Sequence, residues 1–162
     1  METILKEMLS GLPDAQQLVR TLIRLLLAMF AGAIIGAQRE YHRKPAGLRT
    51  HILVSLSATL IVLGPLEFGM ASADISRIIQ GLITGISFLG GGVILKRQEG
   101  HEIHGLTTAA GILMTAAVGL IIGLGRLGLA IISLILTLMT LSLLRAIEDR
   151  LGKKERKDHL SG

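Results

Sequence analysis

The sequence predicts an all-α membrane protein, a bundle of five transmembrane helices with the N-terminus outside and the C-terminus in the cytoplasm. Half of the 162 residues are hydrophobic, and the mean hydropathy is +0.61. The apolar residues form five runs of about the length, roughly 20 residues, that a helix needs to cross a bilayer. The basic residues gather at the ends of these runs, as is typical of membrane proteins.

The five runs lie within residues 15–145, which we interpret as one membrane domain. The predicted spans cover residues 18–38, 48–66, 78–95, 105–125 and 127–144. Residues 1–14 place Ile4 and Met8 on one helical face. We therefore predict an amphipathic segment lying on the membrane, with a frayed terminus as the alternative. Residues 146–162 form a basic cytoplasmic tail.

Small residues recur at every fourth position in three of the spans, and in lipid such ridges let two helix backbones approach closely. The third span, within RIIQGLITGISFLGGGVILK, has two glycines four residues apart and then three in a row. We therefore predict that it is the most tightly packed helix, and its triple glycine is a site where the helix can break locally. The candidates for close helix packing are Gly32, Gly36, Gly81, Gly85, Gly90, Gly92 and Gly119.

The distribution of basic residues predicts the orientation. With five spans, the loops 39–49 and 96–104 share one side with the C-terminal tail. Residues 39–49, 96–104 and 145–162 hold four, two and six Lys or Arg residues, which is 12 of the 17 in the chain. The positive-inside rule therefore assigns this side to the cytoplasm. The same clustering explains the net charge of +5 without nucleic acid, which we do not expect as a partner.

The sequence lacks the residue patterns of an enzyme or a metal site. There is no cysteine, and no serine has a histidine and carboxylate arranged near it in the sequence. The cluster His101-Glu102-Ile103-His104 lacks the HExxH spacing that puts two histidines on one helix face. We read it as a solvated connection, with metal ligation as the alternative. We therefore predict no catalytic residue, no cofactor and no bound metal.

Two groups of polar residues are candidate sites for an anion or a partner protein. One gathers at the cytoplasmic side and the other at the outer start of the third span, where Asp74 can instead act as a helix cap. The candidates are Arg39, Arg49, Thr50, His51, Asp74, Arg77, Thr107 and Thr108. Arg20 and Arg24 lie near a membrane end of the first span. They either extend to the interface or pair with acids of a neighbouring loop.

Three motifs resemble the MgtC/SapB family of bacterial membrane proteins. They are GAIIGAQREYHRKPAGLRTHILVSLSA, RIIQGLITGISFLGGGVILK and HGLTTAAGILMTAAVG. The resemblance implies five membrane helices, an inner-membrane location, and a link to growth at low magnesium and to virulence. The positions that match the family pattern are Arg39, Gly47, Arg49, Thr50, His51, Arg77, Gly85, Phe88, Gly90, Gly92, Thr107 and Thr108. Gln38 departs from it, because an acid is common at that position.

Together, these features predict a non-enzymatic protein of the bacterial inner membrane. It would bind and regulate another membrane protein or a lipid, and it would form a homo-oligomer, most simply a dimer, through its glycine ridges. The alternative is a transporter or channel for an ion or small solute, related to Mg²⁺. No acid lies in the middle of a predicted span, which argues against a Mg²⁺ pore because such pores need oxygen ligands at a constriction.

Overall fold

The computed structural model describes residue 1, residues 14–95 and residues 105–142. Most of the N-terminal segment 1–14, the HEIH cluster and the tail 146–162 lie outside the described residues. The described part of the chain is all-helical, as predicted. Its helices are α1 (Ala15–Tyr41), α2 (Leu48–Glu67), α3 (Ser72–Leu95), α4 (Leu106–Gly123) and α5 (Leu127–Ser142).

Four of these helices, α1 to α4, are long and apolar enough to cross a membrane. The fifth, α5, is apolar but shorter over its described residues. Large apolar side chains point outward from the bundle, including Phe30, Leu53 and Leu136, which are 64%, 63% and 56% exposed. An apolar outer surface of this extent suits hydrocarbon as the surrounding solvent.

The contacts between helices define two ends of the bundle. At one end, which we call the Arg24 end, the third turn of α1 meets the end of α4 through Arg24 and Gly123. At the opposite Arg39 end, the last turn of α1 meets the start of α4 through Arg39 and Thr108. Helix α1 is therefore antiparallel to α4, and the connections make α2 parallel to α4.

Helix α4 contributes to both apolar cores of the bundle. One core joins α2, α3 and α4 and contains Val54, Ala58, Ile86, Ile112 and Ala116. The other joins α1, α4 and α5 and contains Ala28, Ala31, Val118, Ile122 and Ala130. Half of the membrane-spanning part of α4 is buried, compared with 17% for α3. The prediction that the third span is the most tightly packed helix is therefore wrong, because the fold places α4 at the centre.

The glycines of α1 and α4 lie where neighbouring backbones come close. A Cβ atom at Gly32 would lie 2.6 Å from the carbonyl oxygen of His51, and one at Gly36 would lie 2.7 Å from Cα of Leu48. A Cβ at Gly119 would overlap the carbonyl oxygen of Ser55. Real Cβ atoms essentially never come within 3.0 Å of such atoms. These three positions therefore allow α1 and α4 to pack against the backbone of α2.

The glycines of α3 are in different surroundings. A Cβ at Gly90 would lie 3.4 Å from Cβ of Ala109, which is an ordinary packing distance. No described atom lies within 4 Å of a Cβ placed at Gly81, Gly85 or Gly92. For packing within one chain, the prediction at these three positions is corrected, because their face of α3 turns away from the bundle. Helix α3 also continues through the triple glycine without a break.

Candidate functional site

Three polar side chains of α2 lie on the helix face that contacts α4. His51, Ser55 and Thr59 are four residues apart, and their exposure is 0%. The α4 face that they meet has small residues at the same spacing: Gly111, Thr115, Gly119 and Gly123. Residues four apart share one helix face, so the two stripes run side by side along the parallel helices. We call these seven residues the polar seam.

His51 is held in the polar seam by two successive hydrogen bonds. Its Nδ1 lies 2.7 Å from Oγ1 of Thr115, and that hydroxyl donates to the carbonyl of Gly111 at 2.8 Å. Because a threonine hydroxyl has one proton, Oγ1 of Thr115 accepts from His51, and Nδ1 therefore carries a proton. In the neutral ring Nε2 is then an acceptor. This atom forms no hydrogen bond with any residue that the structure describes.

The middle of the polar seam is closed by direct contact between helix backbones. Oγ1 of Thr59 donates to the carbonyl of Gly119 at 2.7 Å. The absence of a side chain at Gly119 lets this turn of α4 rest on the backbone of Ser55. Oγ of Ser55 is buried and makes no hydrogen bond within residues 14–95 and 105–142. The polar groups are therefore packed against one another rather than arranged around an open channel.

Arg39 closes the Arg39 end of the bundle. Its side chain is only 3% exposed, and its Nη2 donates to Oγ1 of Thr108 at 2.7 Å. Thr108 is also 3% exposed and lies in the first turn of α4. A guanidinium keeps its positive charge in a protein, so a full charge lies inside the bundle. Buried charges in membrane domains are costly, and they mark candidate functional sites.

Arg24 closes the Arg24 end by binding the last turn of α4. That helix ends in a Schellman motif, in which Gly125 and Arg126 donate backbone bonds to Ile122 and Ile121 at 2.9 and 3.1 Å. Gly125 has a φ of +75°, which favours glycine. Nη1 of Arg24 donates to the carbonyl of Gly123 at 3.0 Å. A positive charge at a helix C-terminus also complements the helix dipole.

Among the described residues Arg24 pairs with no acid, although pairing with an acid was one of the two alternatives drawn from the sequence. The side chain is half-buried and hydrogen-bonds to a backbone carbonyl of α4. The carboxylate of Glu67, the last residue of α2, instead accepts a hydrogen bond from Thr21 on α1. Charged residues in the sequence could not indicate that Arg24 binds α4, because a helix C-terminus carries only partial charge on its free carbonyls.

Glu40 has a structural role that the sequence analysis missed. Its Oε2 accepts a hydrogen bond from the backbone N–H of Leu48, the first residue of α2, at 2.8 Å. Gly47 precedes α2 and has no side chain to cap it. A carboxylate at a helix N-terminus satisfies a free N–H group and complements the dipole. The sequence could have indicated this contact, because α2 begins without a capping side chain and an acid, Glu40, precedes it by eight residues.

The structure divides the predicted polar site at the Arg39 end. Arg39, His51 and Thr108 are buried in the bundle, whereas Arg49, Thr50 and Thr107 are exposed. Arg49 and Thr50 therefore do not share the buried position of His51. The cause is helical geometry, since consecutive residues at the start of α2 point about 100° apart. Only His51 of the three on α2 turns towards α4.

The predicted polar site at the start of α3 remains at the surface. Asp74 lies half-buried in the first turn of α3, and Arg77 is exposed one turn later. Within the described part of the chain, these two residues form no ion pair. No group of three or more acids and histidines suited to a metal ion occurs among the described residues.

Comparison with known proteins identifies the relatives of this chain. Protein SrpB of Synechococcus elongatus is 44% identical over 131 residues, which cover 74% of this chain and 71% of SrpB. The "Putative magnesium transporter YhiD" of Escherichia coli (strain K12) is 39% identical over 141 residues. Protein MgtC of Salmonella typhimurium (strain LT2) is 37% identical over 132 residues.

The last two alignments cover 82% of this chain, but the chain spans only 64% of YhiD and 55% of MgtC. No solved structure matches the chain. The sequence model of the MgtC family matches residues 25–150, a range that includes the whole polar seam and the Arg39–Thr108 contact. The chain therefore belongs to the MgtC family.

Proposed function

We propose that this MgtC-family membrane protein lies in the bacterial inner membrane and regulates another membrane protein by binding it, without catalysing a reaction. The observation that carries the proposal is the closed polar seam. The hydroxyls of Thr59 and Thr115 donate to carbonyls of α4, and helix backbones touch at Gly119. Such an arrangement supports a rigid scaffold with a packed centre, rather than a water-filled path.

The charges at the seam also disfavour passage of Mg²⁺. Mg²⁺ requires a near-octahedral set of oxygen ligands, commonly with one or two carboxylates. The described acids, Asp14, Glu40, Glu67 and Asp74, lie outside the polar seam at or near helix ends. Arg39 is buried beside it. Two unit charges 4 Å apart repel by about 4 kcal/mol at an effective dielectric of about 20, and a divalent ion doubles this.

The exposed face of α3 is the surface that we propose for the partner. Gly81, Gly85 and Gly92 have no described atom near them, and Phe88 on this helix is 82% exposed. Ridges of small residues let a second membrane helix approach the backbone closely. A second copy of this chain, giving a dimer, and a different membrane protein both suit such a face.

Crosslinking tests this proposal. A photoreactive residue at Gly85 should crosslink to a protein in native membranes. The same residue at Gly128, which is also exposed and open but lies on α5, should not. A product of twice the chain mass indicates the dimer. Equal crosslinking from both positions, or none from Gly85, contradicts the proposed surface.

A magnesium transporter is the second candidate function. The name of the YhiD relative favours it, and so does the continuous line of polar groups from Arg39 to Arg24. Flux measurements separate the two candidates. We expect liposomes that contain the pure protein to take up Mg²⁺ no faster than empty liposomes. Saturable uptake that depends on the protein would decide in favour of transport.

A further inference from the structure

A groove between α1, α4 and α5 is lined entirely by apolar side chains. Its volume is about 320 Å³, within the range of roughly 300–1,000 Å³ that is usual for small-molecule sites. Leu27, Ala31, Val118, Ile122, Ile131 and Leu134 are among its lining residues. The groove faces outward, since Ile131 is 58% exposed. In a membrane, a groove of this kind opens towards the hydrocarbon of the surrounding lipid.

Two exposed arginines lie above the groove at the Arg24 end. Arg20 precedes Leu27 by seven residues on α1, so both are on one face and about 10 Å apart along the axis. Arg126 directly precedes Leu127, the first groove residue of α5. The headgroup layer on each side of a bilayer is about 5–8 Å thick. The arginines are therefore at headgroup level when the groove is at acyl-chain level.

Arg20 and Arg126 are available for an anion. Within residues 14–95 and 105–142, neither of them has an ion-pair partner. Glu67, the last residue of α2, accepts a hydrogen bond from Thr21, which lies about 120° around α1 from Leu27. Arg24, between Arg20 and the groove, binds the α4 carbonyl and adds a third positive charge.

We propose that this groove binds an anionic phospholipid, with the headgroup at Arg20 and Arg126 and one acyl chain against α1, α4 and α5. The positive charges at the mouth of the groove and its wholly apolar wall favour a molecule that has an anionic headgroup and an apolar chain. The site is separate from the proposed partner surface on α3. Its occupancy therefore does not depend on the proposed function.

The headgroup contact is tested by native mass spectrometry of the full chain in detergent, with added phosphatidylglycerol or phosphatidylcholine of identical acyl chains. The parent protein should retain phosphatidylglycerol preferentially. Arg20→Gln and Arg126→Gln should each reduce that preference by roughly fivefold, since one basic residue near a membrane contributes about that factor. Arg77→Gln is the matched control, because Arg77 is exposed at the same end but lies on α3. It should leave the preference unchanged.

The acyl contact needs a second pair of variants. Ile131→Trp fills the groove, whereas Ile132→Trp adds the same bulk to a neighbouring residue that does not line it. Ile131→Trp should reduce retention of both lipids severalfold, and Ile132→Trp should not. Gly85→Leu, on the proposed partner surface, should also leave lipid retention unchanged.

Three outcomes would overturn the lipid site. The first is equal retention of the two lipids by the parent protein. The second is an equal loss of preference in Arg77→Gln and the two other arginine variants. The third is a second protein that stays bound to the parent chain and to Ile132→Trp but is lost from Ile131→Trp. That result would mean that the groove binds a helix of another protein.

Discussion

The guanidinium of Arg24 donates a hydrogen bond to the carbonyl of Gly123 at 3.0 Å, and so joins the third turn of α1 to the last turn of α4. Replacing Arg24 with Leu should destabilise the bundle by about 1.5–3 kcal/mol, which is typical for a hydrogen bond to a charged group. Thermal unfolding in detergent measures this change. Arg77→Leu, at an exposed position on α3, should have a much smaller effect. Equal effects of the two variants would mean that the contact contributes nothing specific.

Gly119 gives a test of the closest helix contact. Gly119→Ala places a Cβ on the carbonyl oxygen of Ser55, so α2 and α4 must separate. Overpacking of this kind typically costs about 1–3 kcal/mol. Gly81→Ala makes the same substitution at an open position of α3 and should be neutral or stabilising for the single chain. Unfolding midpoints of the two variants, measured side by side, distinguish these outcomes.

Thr115 gives a test of how His51 is held. Thr115→Val keeps the shape of the side chain but removes the acceptor for Nδ1–H of His51. A buried donor left without a partner costs about 1–3 kcal/mol, so the midpoint should fall. Thr115→Ser restores the hydroxyl and should recover most of the loss. Thr84→Val removes only an exposed hydroxyl that bonds within its own helix, and its effect should be small. A similar loss in Thr115→Ser would contradict the hydrogen-bonding role.

The predicted orientation can be tested with single cysteines, because the chain has none of its own. Ser72, at the start of α3, and Lys44, in the turn between α1 and α2, are both exposed and lie at opposite ends of the bundle. If the basic loops are cytoplasmic, a membrane-impermeant thiol reagent should label Ser72→Cys in intact cells and not Lys44→Cys. The reverse pattern would invert the topology.

The sequence predicted the helices better than the way in which they pack. Hydropathy identifies an apolar helix because its outer surface must match hydrocarbon, whatever its neighbours are. Glycine spacing is less informative. Gly81 and Gly85 have the same four-residue spacing as Gly119 and Gly123, yet only the α4 pair meets another helix within the described chain. Spacing gives the face of a helix, and tertiary structure decides what that face contacts.

The polar contacts were only partly predictable for a related reason. His51 and Thr108 stood out because polar groups are rare in membrane helices. Their partners are a hydroxyl and a guanidinium that lie 64 and 69 residues away in the chain. Arg24 binds a backbone carbonyl and Glu40 binds a backbone N–H. Almost every residue has these two groups, so the residue type at a position does not mark it as the partner. Residue types alone therefore could not identify these two contacts.

The distance in sequence between the two sides of the polar seam has a consequence for biosynthesis. Thr59 and its partner Gly119 are separated by 60 residues, with α3 between them. At a synthesis rate of about 5–20 residues per second, α2 leaves the ribosome roughly 3–12 s before this part of α4. During that interval the α4-facing hydroxyls of α2 lack their α4 partners in the membrane. We infer that the α1–α2 hairpin, which Gly32 and Gly36 allow to pack closely, is the first part of the bundle to assemble, and that the arrival of α4 completes the seam.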